Sequence, residues 1–263
     1  MSAITTTLDA SRYRVGVELS GWTTDGDVTV YRVHADGSRN PVRGMSAVSG
    51  GAAFGWDYET PLSAAFTYEA DDGGTVSSSS VTLDVPYYVA TLTVPGLPSF
   101  GGVIEPTTKP ALNFERPQVS IDILGRTSNI IKSDVMKAPT FTLQLRTRTT
   151  AEAYSLTSMF AIAPVLLLRM PGTFYVDWCY VATGGLKPSP LTSHKALPWH
   201  APGSSAEVYT WDIDCEITDA PVGGVVGDPT STWQALKETG MTSQDLKDSG
   251  LTWLQVLKGE FAS

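Results

Sequence analysis

Cysteine is nearly missing from this chain: 263 residues carry two, Cys179 and Cys215. Two cysteines build no disulfide framework, and no Cys-x-x-Cys or His-x-x-x-His spacing offers a zinc site. Both lie in strand-like runs, where a thiol acts as a small buried hydrophobe. Histidine is equally scarce, at three. His194 and His200 stand six apart in "SHKALPWH", with no partner at ligand spacing, and His34 is isolated, so neither a metal nor a cofactor is expected. The longest apolar run, "MFAIAPVLLL", is too short to cross a bilayer. The opening "MSAITTTLDA" has neither a basic segment nor an apolar core, so a protein made and folded in a cytoplasm is expected. Positive charge is also short, with 18 Lys and Arg against 27 Asp and Glu. A chain of net charge −9 is a poor ligand for nucleic acid or for an anionic membrane, because both need Lys and Arg to replace counterions.

What the chain does have is β-pattern. From about residue 12 to 85, "YRVGVEL", "DVTVYRV", "AAFTYEA" and "SSVTLDV" alternate with the two-residue period of half-buried strands, separated by turn clusters such as "TTDGD" and "ADDGG". This spacing predicts a fibronectin type III or immunoglobulin-like sandwich over residues 1–88. Pro61 should end one strand, and Phe66 and Tyr68 should share a face of the next. A second, mainly β domain with one helix, sandwich-like or barrel-like, is expected over 89–222. There "PQVSIDILGRTSNIIKSDVMK" supplies strands, and "FTLQLRTRT" sends Phe141, Leu143 and Leu145 one way and its polar residues the other. Thr150 should cap a helix carrying Leu156, Met159 and Phe160, which Pro164 ends. "FYVDWCYVA" reads as a strand, and "TGGLKPSPLTSHKALPWHAPGSS" as a long loop before the last strand, "EVYTWDIDCEI".

Catalytic signatures are missing. No G-x-S-x-G, P-loop or Rossmann fingerprint occurs, and Ser128 in "GRTSN" reads as a turn residue. Asp212 and Asp214 share a strand face in the manner of paired carboxylates, but the alternation around them already explains them as the solvated side. Trp178 and Trp211 sit in strand-like runs and read as core. Trp199, in the long loop, is the tryptophan to weigh for an interface or a ligand. Charge is uneven: residues 1–88 hold 5 basic and 11 acidic groups, whereas Arg126, Lys132, Lys137, Arg146 and Arg148 gather in the second domain. A basic face meeting the acidic first domain of another copy predicts self-association that weakens with salt.

"DVTVYRVHADGSRNPVRG" with "AFGWDYETPLSAAFTYEADD" resembles the N-terminal part of minor tail proteins of long-tailed, non-contractile actinobacterial phages. "FERPQVSIDILGRTSNIIKSDVMKAPTFTLQLRT", with its Gly125-Arg126, is similar to their central part, as are "APVLLLRMPG", "FYVDWCYVATG" and "TWQALKETG". The resemblance covers most of the chain and carries no catalytic signature. It implies a non-enzymatic virion protein of the tail tip, equivalent to a distal tail protein, in a homo-oligomeric ring of three or six copies. Such a ring joins the tail tube to the tail hub, so the implied neighbours are tube and hub proteins. A host-glycan-binding tail module and a tail-associated cell-wall hydrolase are the alternatives.

Residues 223–263 add a Gly/Pro-rich linker and three ten-residue repeats, "STWQALKETG MTSQDLKDSG LTWLQVLKGE". Each has a threonine placed to cap and a glycine placed to stop a two-turn helix, a unit too short to stand alone in water. Trp233, Leu236, Leu246, Trp253, Leu254, Leu257 and Phe261 are the apolar residues expected to dock these repeats, either on the chain itself or on an adjacent tail protein.

Overall fold

Alternation in "RVGVELS" sends Val15, Val17 and Leu19 to one side of a strand, and all three are fully buried. Each such side chain contributes about 1.5–3 kcal/mol when it leaves water. The computed structural model of the chain describes residues 2–86, 88–121, 130–190 and 208–221, which are mainly β with a single helix.

The first eight strands are β1 (Ala3–Asp9), β2 (Arg14–Ser20), β3 (Tyr31–His34), β4 (Arg39–Pro41), β5 (Ala52–Asp57), β6 (Ala65–Asp71), β7 (Thr75–Ser77) and β8 (Val81–Thr82). They form two antiparallel sheets. One has the order β1-β2-β5, and the other β4-β3-β6-β7 with β8 also on β6. Both sheets feed one core, with Ile4, Val17 and Leu19 from the first and Phe66, Tyr68 and Ala70 from the second. Phe66 and Tyr68 share the buried face of β6 as their spacing predicts, rings edge to face at 5.5 Å, and β5 ends before Pro61. Gly55 on β5 permits a close crossing: a Cβ there would lie 2.7 Å from the Gly44 carbonyl oxygen. Strand β1 was not part of the sequence expectation, because "AITTTLD" has little apolar signal; its seven-residue ladder with β2 forms it.

The remaining elements are β9 (Ala90–Val94), β10 (Leu97–Pro106), β11 (Gln118–Ile121), β12 (Ile130–Ser133), β13 (Thr140–Thr147), α1 (Thr150–Ile162), β14 (Val165–Arg169), β15 (Cys179–Pro190) and β16 (Tyr209–Thr218). The order β10-β13-β16-β15-β14-β9 closes as a barrel, while β11 and β12 pair only with each other. Inward residues of β13 and β16 face each other in register, Phe141 with Cys215, Leu143 with Ile213 and Leu145 with Trp211, and all six are buried. The expected alternation of "FTLQLRTRT" and "WDIDCE" is therefore what is found. By compactness, residues 2–102, Leu167–Trp178 and Pro221 belong to one unit, and Val103–Leu166 with Cys179–Ala220 to a second.

Three local expectations change. The cap of α1 is Thr149, one residue earlier than expected, its hydroxyl oxygen accepting from the Glu152 N–H at 3.1 Å. The first eight residues of the expected loop after Val181-Ala182 are strand instead. β15 runs through Gly184-Gly185 to Pro190 by a register shift between Thr183 and Leu186, and the two glycines form the bulge that keeps it paired with β16. "FYVDW", read as strand, is a turn. Gly172 and Tyr175 adopt positive φ (71° and 62°), and the Met170 and Val176 N–H groups close back on Val176 and Thr173.

Candidate functional site

In the first unit, Arg32 on β3 and Tyr68 on β6 are cross-strand partners, and both point at Asp57, the last residue of β5 in the opposite sheet. Arg32 Nη1 donates to Asp57 Oδ1 at 2.8 Å and Oδ2 at 2.6 Å, the Tyr68 hydroxyl donates to Oδ2 at 3.0 Å, and the Glu59 N–H to Oδ1 at 2.9 Å. Burial, then the Asp57 charge, pushes the Tyr68 phenol well above its ordinary pKa. Trp178 lies over Arg32 at 5.2 Å and against His34 at 4.9 Å, and its indole N–H donates to the Glu59 carbonyl at 2.6 Å. Arg169 is 2 % exposed and spends its guanidinium on Thr91 Oγ1, the Tyr13 carbonyl and the Thr60 carbonyl; burial lowers its pKa to about 10.

This cluster holds acids, bases and an aromatic platform, yet Arg32, Asp57 and Tyr68 are at most 1 % exposed. A group that meets no solvent meets no substrate. Its chemistry is to bind two sheets and the turn at Trp178 into one body, with a desolvated carboxylate satisfied on both oxygens.

Accessible surface offers three other places. In the first unit a groove of about 530 Å³ is lined by Trp22, Tyr31 and the exposed carboxylates of Asp25, Asp27, Asp71 and, half-buried, Asp72. Asp72 is committed already: Ser2 Oγ donates to it at 2.5 Å and Thr23 Oγ1 at 2.6 Å, which holds its carboxyl below the usual range. In the second unit a groove of about 590 Å³ runs past Asn113, Thr140, Thr142, Thr183, Gly184 and Asp214 beside the β15 bulge. The third place is the β11–β12 ribbon, where residues 114–116, 118–120 and 133–138 are all exposed.

The residues singled out by sequence fall as follows. Arg146 on β13 and Arg148 just beyond it both converge on Glu105 of β10, Arg148 at 2.7 and 2.9 Å, so both cations are ion-paired within their own unit, two on one carboxylate. Lys137 pairs with Glu115 at 3.2 Å. Asp212 accepts from Gln144 at 3.0 Å, and Asp214 from Thr142 at 3.4 Å with Lys187 at 3.5 Å, as cross-strand contacts on the outer side of the sheet. Trp211 is core, its indole N–H donating to Thr147 Oγ1 at 3.0 Å; Trp178 is half-buried in the turn instead of a strand. Cys179 and Cys215 are buried, and burial pushes the Cys215 thiol up to about 12. Ser128, His194, Trp199, His200, Trp233, Leu236, Leu246, Trp253, Leu254, Leu257 and Phe261 lie outside the described residues. Among the described residues no three His, Cys, Asp or Glu side chains converge as metal ligands, and no helix is long and apolar enough to cross a membrane. The buried cluster escaped sequence reading because its members are up to 146 positions apart (Arg32 and Trp178), though "RVH" inside an apolar alternation was a usable signal for a paired buried arginine. No known protein family and no curated protein matches the chain.

Proposed function

We propose that this chain is a structural subunit of the tail tip of a long, non-contractile phage tail, one component of the ring or collar joining tail tube to tail hub. It acts through geometry and interfaces and not through catalysis. In this reading residues 1–88 are a fibronectin III or immunoglobulin-like sandwich, and 89–222 are a barrel-like tail domain with one helix. Residues 223–263 are a linker with short helical repeats that dock on a neighbour. The protein assembles in the host cytoplasm and resides in the virion.

The observation that carries this reading is the β11–β12 ribbon. Among its described side chains Val119 is 62 % and Val135 81 % exposed, and the ribbon pairs with no other described strand. An isolated two-stranded ribbon is marginal in water, so such a part is completed by a neighbouring molecule. The rigidity conferred by the buried Arg32–Asp57–Tyr68 cluster and the resemblance carried by "FERPQVSIDILGRTSNIIKSDVMK" support the same reading. A mass measurement on the purified full chain tests it: three or six copies are expected, and a monomer at every accessible concentration overturns it.

A further inference from the structure

We draw no further inference here: the strongest candidate, the groove of the first unit lined by Trp22, Tyr31, Asp25, Asp27 and Asp71, rests on a cluster of acidic side chains, and no second feature among the described residues points to a particular ligand for it.

Discussion

Arg32 gives one nitrogen, Nη1, to both carboxylate oxygens of Asp57, at 2.8 and 2.6 Å, and it does so across two sheets with both side chains out of water. Removing one partner strands the other as a buried unpaired charge. Asp57→Ala should therefore cost about 3–5 kcal/mol in urea unfolding, whereas Asp57→Leu combined with Arg32→Met should recover most of that loss. A single-variant cost below about 1 kcal/mol would mean that the pair does not bind the sheets together.

The same cluster predicts a pH response. His34 Nε2 accepts from Arg32 Nε at 3.5 Å, and the ring packs on Trp178. Burial first, and the Arg32 charge second, lower its pKa from 6.5, against smaller opposing effects of Asn40, Asp36 and Asp57. The unfolded chain binds this proton more readily than the folded one. The associated stability is thus complete above about pH 6.5 and drains away as the pH falls through the lowered folded value. Melting temperature should drop between about pH 7.5 and about pH 5, and His34→Gln should flatten that drop. An unchanged slope in the variant contradicts the assignment.

Thr149 and Thr150 are adjacent, yet the hydroxyl that reaches the Glu152 N–H belongs to Thr149. Thr149→Ala should cost about 1 kcal/mol, and Thr150→Ala a few tenths at most. Equal losses in chemical unfolding would return the cap to the later threonine.

The Cys215 thiol, pushed up to about 12 by burial, holds almost no thiolate at neutral pH, and Cys179 is buried as well. A thiol-reactive dye should label neither in native protein and both after unfolding. Labelling of Cys215 under native conditions contradicts the packing of β16 against β13.

Gly55 faces backbone. A Cβ there meets the Gly44 carbonyl at 2.7 Å and Met45 Cα at 2.9 Å, neither of which can swing away as a side-chain tip would. Gly55→Ala should destabilise by about 1–3 kcal/mol in thermal unfolding. Retention of the wild-type melting temperature would show that the crossing is looser than described.

Sequence made the regular parts legible because a two-residue period and a one-sided burial pattern are the same fact seen twice. Phe66 and Tyr68 on β6, and Phe141, Leu143 and Leu145 on β13, were readable for that reason. Strand β1 was not, since "ITTT" gains its conformation from the ladder with β2 and not from its own apolar content. The reach of β15 through Gly184-Gly185 was hidden by residues that usually mark loops; a bulge absorbs them when a neighbouring strand continues alongside. The Asp57 cluster was out of range for a different reason. Its bonds join β3, β5, β6 and the turn at Trp178, and pattern along the chain carries no information about which distant polar residues meet.

The placement of this protein in a virion tail tip is the claim on which the account turns. Gold-labelled antibody against the full chain, applied to purified long-tailed particles from lysates that contain the protein and viewed by electron microscopy, tests it directly. Label concentrated where the tail tube meets the hub is the predicted result. Particles that bear no label, from lysates in which the protein is abundant, would contradict it.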